Sequence, residues 1–219
     1  TAKSSKLTHH NACMNAPKVD EIPGSEQMAG LGASDISETL RLLSGVRPAV
    51  ILYGCTSATL THGTGFDRDL ADQIRTISGA VSLTAAGSLV AGIKAVGATK
   101  VGFASPYLGE INDQAIAFLA DEGIEVVQRA DIGRELGNYG QGELTPDEVF
   151  DLALQADHPD AQAIVLSCTD MRSVEAITRI EAVIDKPVIT SNQAMIFGMM
   201  RALSLPRHDA LPGKLFDRL

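Results

Sequence analysis

Two cysteines stand in near-matching surroundings far apart in the chain: Cys55 in AVILYGCTSAT and Cys168 in AIVLSCTDMRS. Each closes an aliphatic, β-branched run and is followed by Thr and a short polar residue. Each therefore reads as a buried strand with a thiol at its carboxyl tip, the next helix starting directly after it. Two thiols facing one carbon skeleton could attack and protonate it, or deliver and remove a proton on opposite sides. A helix N-terminus beside each thiol would lower its pKa and favour the thiolate. A lone cysteine at a strand end is commonly a small buried apolar residue, but the repeated setting argues for chemistry. Cys13 has no such setting and reads as incidental.

The elements that must position these thiols follow from the patterning. Residues 1–32 are polar, carry Pro17 and Pro23, and show neither a clean period nor an opening apolar strand. From Ser34 the pattern turns regular: Ser34 is placed to cap a helix over DISETLRLLSG, with Ile36, Leu40 and Leu43 on one face and Gly45 at its end. Strands are expected at PAVILYG (48–54), TKVGFAS (99–105), IEVVQRA (124–130), AQAIVLSC (161–168) and KPVITS (186–191). Helices are expected over 66–79, 82–97, 110–123, 173–184 and from Asn192, and over TPDEVFDLALQA, where Thr145 can cap and Pro146 suits the first turn. Alternating strands and helices predict an α/β fold of parallel βαβ units with right-handed crossovers.

In such sheets ligands bind beyond the carboxyl ends of the strands. The residues there are Cys55, Thr56, Ser57, Pro106, Tyr107, Cys168, Thr169, Asp170 and Asn192, rich in hydroxyls, thiols and amides and poor in fixed charge. That collection suits hydrogen-bonding a carboxylate. Arg172 could pair with such a group, although a structural ion pair is the plainer reading, and His62 in LTHGTG reads as a loop or capping residue. The glycine-rich GNYGQGEL (137–144) marks a turn, and the chain lacks GxxxxGK[ST] or a GxGxxG between strand and helix.

The formal charge of −9 with no basic cluster argues against nucleic acid or an anionic membrane as partner, and aromatics at 4% leave little for base stacking. Five scattered histidines and no CxxC pair give no metal-ligand spacing, so no metal is expected. Three cysteines without framework spacing, and no signal peptide or long apolar run, point to a reducing, cytoplasmic setting.

With these residues in view, the chain resembles the aspartate/glutamate racemase superfamily and, within it, the maleate cis–trans isomerase and arylmalonate decarboxylase branch. The matching pieces are GCTSATLTHG (54–63), ASPYLGEINDQAIAFLADEGIEVV (104–127), GNYGQGEL (137–144), VLSCTDMRSVEAI (165–177) and KPVITSNQA (186–194). The resemblance implies two pseudo-symmetric α/β halves with the active site in the cleft between them. Residues 1–80 plus 195–219 would form the first half, with its N-terminal strand missing, and 81–194 the second. LTHHNACMN (7–15) is similar to the family's second strand.

By the same resemblance Cys55 would be the nucleophile and Cys168 the proton donor and acceptor. Thr56, Ser57, Tyr107, Thr169 and Asn138 would bind the substrate. The implied reaction is a cofactor-independent cis–trans isomerisation of a small dicarboxylate, of the maleate-to-fumarate type. The decarboxylase branch has Gly in place of the first cysteine, so Cys55 favours two-thiol chemistry. The alternatives are a two-base racemase of an amino-acid or hydantoin-like substrate, as in the ectoine-utilisation proteins that resemble this branch, an arylmalonate-type decarboxylase, and a ligand-binding module without turnover. A homo-oligomer is expected, with apolar helices such as AAGSLVAGIKAVG as candidate interfaces.

Overall fold

The computed structural model describes residues 7–13, 25–107, 109–136 and 139–219. Residues 7–13 are exposed and carry no regular structure, so LTHHNAC is not a strand. The chain then runs α1 (Ser25–Gly32), α2 (Ser37–Ser44), β1 (Val50–Tyr53), α3 (Thr56–Leu60), α4 (Gly63–Ser78), β2 (Val81–Thr84) and α5 (Ala85–Ala95). It continues through β3 (Lys100–Ser105), α6 (Gly109–Asp121), β4 (Glu125–Asp131), α7 (Gly140–Glu143), α8 (Pro146–Gln155), β5 (Ala163–Leu166), α9 (Ile177–Ile184), β6 (Val188–Thr190) and α10 (Ser191–Ala202), closing with a 3-10 turn at Lys214–Arg218.

The strands form two parallel sheets. One pairs β1 with β2, in register Val50↔Val81 through Tyr53↔Thr84. The other has the order β4-β3-β5-β6. Its inner strands alternate as a pleat requires: Val101, Phe103, Val165 and Ile189 enter a core with α5, α6 and α10, whereas Ala104, Ile164, Leu166 and Val188 face α8 and α9. The smaller sheet has its own core of Ile51 and Tyr53 against Leu40, Leu70 and Ile74.

Several local expectations meet a different local chemistry. Residues 82–97 are not one helix: Val81–Thr84 is a strand, and Thr84 ends it by accepting the Gly87 N–H at 3.0 Å, which caps α5. That strand belongs to the first sheet, directly after residue 80, where the second half was expected to begin. Ser34 does not cap α2; its hydroxyl donates to Gly30 O, and Asp35 Oδ1 accepts the Ser37 N–H instead. Thr145 and Glu148 form the expected capping box of α8, with Pro146 in its first turn. The helix expected from residue 173 starts at Ile177. Much of the apolar surface of α5 lies inside the chain, where Ala85, Ala86, Leu89, Val90 and Ile93 are buried mainly against α10 and α3.

One glycine fixes how closely α8 seats on the large sheet. A Cβ on Gly102 would lie 1.9 Å from Ala156 O and 2.8 Å from Ile164 Cδ1. Backbone cannot yield at that distance as a side chain can. Gly102→Ala is expected to cost about 3 kcal/mol or more, as for severe overpacking, read as a lowered midpoint in urea denaturation with the slope unchanged.

Candidate active site

The site is built from turns at the carboxyl ends of β1, β3 and β5. Cys55 leaves β1 in extended geometry (φ −125°, ψ 109°) and stands at the N-cap of α3. Its carbonyl oxygen accepts the Thr59 hydroxyl at 3.0 Å, which locks the turn. Its sulfur makes no capping hydrogen bond to α3, but the Ala58 and Ser57 N–H groups lie close enough to favour its thiolate, and the Ser57 hydroxyl is 3.8 Å away. Cys168 follows β5 and is 1% exposed. No helix starts directly after it, since α9 begins at Ile177. The N–H groups of Asp170 and Met171 nevertheless turn toward its sulfur, so a loop does what a helix N-terminus was expected to do. Asn192, in the first turn of α10, donates from Nδ2 to Thr169 O at 2.8 Å and ties this loop to β6.

Tyr107 brings the two cysteine segments together. It follows β3, is buried in the same cluster of side chains as Cys168, and its phenol interacts with Cys168, Ser57 and Cys55. Both thiols also feel the charge of Asp170. Cys55, Ser57, Tyr107 and Cys168 therefore border one site, assembled from both sheets. Thr56 is fully buried, with a hydroxyl that finds no partner among the described residues, and Thr169 is half-buried beside Cys168. Asn138 lies outside the described residues.

Burial decides the protonation of this site. It pushes the Cys168 thiol up to about 11, against the lowering effect of the Tyr107 hydroxyl and the two backbone N–H donors. Burial also raises the Cys55 thiol, offset in part by the Ala58 N–H and the Ser57 hydroxyl. The expectation of lowered thiol pKa values is thus reversed: the N–H donors are present, but desolvation outweighs them. Tyr107 is raised well above its ordinary value by burial and then by the Cys168 charge, which keeps it a hydrogen-bond donor.

A cavity of about 310 Å³ runs beside β1. Consecutive residues Ile51 to Cys55 line it, and because side chains alternate along a strand, such lining marks the backbone edge of β1 that pairs with no strand among the described residues. Leu40 and Ile74 close the far wall. Cys55 stands at the end of this slot, and Cys168 does not line it.

The secondary candidates resolve plainly. Arg172 pairs with Glu175 through two contacts of 2.9 and 3.0 Å on the surface. His62 is the N-cap of α4, bonds Ala58 O through Nδ1 at 2.9 Å and stacks on Phe66. Cys13 is exposed. Among the described residues no group of three or more His, Cys, Asp or Glu side chains could hold a metal ion, and no helix is long and apolar enough to cross a membrane.

Two residues of the site's support escaped the sequence reading. Ser105 ends β3 and Asn112 lies on α6, both fully buried, and both hold the Tyr107 turn. Asn112 falls on the buried stripe Ile111, Ala115, Phe118 and Leu119. A polar residue in phase with an apolar stripe was the available signal.

The family model for arylmalonate decarboxylase matches residues 34–216. A maleate isomerase of Geobacillus stearothermophilus is 27% identical over 182 residues, covering 80% of this chain and 72% of the relative. The arylmalonate decarboxylase of Bordetella bronchiseptica is 28% identical over 173 residues, covering 77% of this chain and 71% of the relative. Among solved structures, a maleate isomerase from Pseudomonas putida S16 with maleate superimposes with a TM-score of 0.82 at 28% identity, covering 88% of this chain and 79% of that one.

The raised thiols have a direct consequence for reactivity. Since the thiolate is the reacting form, iodoacetamide is expected to label Cys168 far more slowly at pH 7 than a free thiol, with the rate climbing as pH rises toward about 11. Mass-spectrometric labelling of the folded protein between pH 7 and 10.5 checks this, and rapid labelling at neutral pH would contradict it.

Proposed function

The chain belongs to the arylmalonate decarboxylase family, and from that membership we propose that it is an isomerase working without a cofactor on the double bond of a small dicarboxylate, of the maleate-to-fumarate kind. The observation that carries this reading is Tyr107, buried in one cluster with Cys168 while its phenol interacts with Cys55 and with Ser57, whose hydroxyl lies 3.8 Å from the Cys55 sulfur, which supports placing both thiols at one site. Relatives named as maleate isomerases, one of them solved with maleate, support the choice of substrate class. The presence of Cys55 favours two-thiol chemistry over decarboxylation, whose branch has Gly at that place.

In the proposed reaction the Cys55 thiolate adds to one alkene carbon of the cis-diacid. A carbon–sulfur bond forms, and the alkene electron pair moves to the neighbouring carbon, shared with its carboxylate. The Cys168 thiol protonates that carbon, leaving a succinyl-type thioether on Cys55 and a thiolate at Cys168. The former double bond is now single and rotates. Cys168 then takes a proton back from the same carbon, the alkene re-forms, and the Cys55 sulfur leaves as thiolate with the trans-diacid released.

The protonation found here fits that division of labour. A Cys168 pKa of about 11 holds its proton at neutral pH, as a donor must. Cys55 must reach the thiolate before attack, and the Ala58 and Ser57 N–H groups are the donors that stabilise it. Thr56, Ser57, Tyr107, Thr169 and Asn138 are proposed as the carboxylate ligands. The first turn of α3, with Thr56 and Ser57, presents N–H groups that suit an anion.

Proton NMR of the purified protein with maleate is expected to show fumarate appearing, with Cys55→Ala lowering the rate about 10³-fold or more, as loss of a nucleophile does. Because burial raises the Cys55 thiol, its thiolate fraction grows with pH, and kcat/KM is expected to climb about tenfold per unit from neutral into alkaline pH. No fumarate from the intact protein would overturn the reading. Deuterium exchange at Cα of an enantiopure amino acid would then point to the racemase.

A further inference from the structure

The hydroxyl of Tyr107 can serve the site only if the turn that carries it is held in place, and the structure shows how that is done. Both main-chain polar groups of Tyr107 are engaged by buried side chains. Its N–H donates to Ser105 Oγ at 3.1 Å, and its carbonyl accepts Asn112 Nδ2 at 3.1 Å. The Ser105 hydroxyl donates to Asn112 Oδ1 and so closes a ring through the two side chains and the Tyr107 backbone. The second proton of Asn112 Nδ2 goes to Asp131 Oδ1 at 2.6 Å, at the end of β4. Arg129 grips Asp131 with Nε and Nη2, each at 2.6 Å, and also pairs with Asp113 on α6.

Ser105 and Asn112 are both fully buried. Only a carboxamide of this length offers two donors and an acceptor together: aspartate could not donate to the Tyr107 carbonyl and would set a second anion against Asp131, and leucine would deprive two buried groups, the Ser105 hydroxyl and the Tyr107 carbonyl, of their Asn112 partner. Such a network stabilises only when every member is satisfied, as here. A clamp that did no more than close the β3–α6 turn would have no need to reach both polar groups of Tyr107, which is buried in one cluster with Cys168.

We propose that Asn112, acting with Ser105, is a positioning residue that fixes the Tyr107 turn so that the phenol hydroxyl meets the Cys168 sulfur. This deepens the proposed function and rests on Tyr107 belonging to that site, but the contact it concerns exists without substrate. Asn112 touches no reacting atom; its effect passes through Tyr107.

The test reads that contact directly. In protein carrying 13C at the cysteine Cβ positions, the Cys168 shift is followed against pH in the substrate-free protein, for Tyr107→Phe, Asn112→Leu and Ser105→Ala. The phenol donates to the Cys168 sulfur and favours its thiolate, so losing it moves the Cys168 titration to higher pH. Asn112→Leu and Ser105→Ala are each expected to move the Cys168 titration upward as Tyr107→Phe does, by half a unit or more, equivalent to about a threefold change in thiolate fraction, with a smaller movement at Cys55. Ser105→Ala deletes a single hydroxyl and keeps the test decisive if Asn112→Leu does not fold. A Cys168 titration in folded Ser105→Ala that superimposes on the unsubstituted protein's, while Tyr107→Phe shifts it, would overturn the proposal. Since the measurement needs no turnover, a protein that makes no fumarate yet shows these shifts would fail the isomerase reading and keep the clamp.

Discussion

The phenol hydroxyl of Tyr107 is the joint on which this structure turns. It is buried with Cys168 beyond the large sheet and interacts with Ser57 beyond the small one, two turns that share no strand. Everything else follows from bringing those turns within reach of one side chain. The α3 segment must pack against α5 and α6, the α6 start must face it, and β3 must lie beside β5 so that Tyr107 and Cys168 emerge at the same edge. The register supplies this last condition: Ala104 pairs with Leu166, so the two chains leave the sheet within a residue or two of one another.

The same burial that makes the joint firm sets the chemistry. Water is excluded from Cys168, and with it most of the solvation a thiolate would need, so three hydrogen-bond donors do not bring the thiol down to its ordinary pKa. In the proposed reaction this separates the two sulfurs by environment rather than by sequence. The deeper one keeps its proton and donates it; the half-buried one, under backbone N–H groups, is the better placed to lose it. A pair of identical residues thus acquires two roles from unequal solvation, as paired catalytic carboxylates do.

What could be read from the sequence was whatever had a period or a repeat. The runs around Val50–Tyr53, Lys100–Ser105 and Ala163–Leu166 marked strands, though β1 buries only alternate residues, and the matching cysteine tips marked the candidate site. Val81–Thr84 was missed because its four residues run straight into a strongly apolar helix, and only the Thr84 hydroxyl on the Gly87 N–H divides them. The thiol pKa values went the wrong way for a different reason. Sequence reveals that N–H donors follow each cysteine, but the desolvation opposing them depends on depth, which comes from packing across two sheets. Asn112 was passed over because its role lies in its partners, Tyr107 O and Asp131, and neither is fixed by spacing along α6.

Placing the two thiols beyond different sheets has a physical justification. Neighbouring strands of one sheet stand about 4.8 Å apart and deliver their tips side by side along one edge. Two sulfurs so placed would approach a planar diacid from the same side. The proposed addition and protonation occur at adjacent carbons, and rotation about the bond between them needs space that a shared edge would deny. With Cys55 beyond β1 and Cys168 beyond β5, the sulfurs are held against separate cores, with the protonated phenol of Tyr107 within electrostatic reach of both. In the proposed reaction the substrate would lie between the two cysteine turns, while the contacts that hold those turns belong to the protein and persist through the rotation.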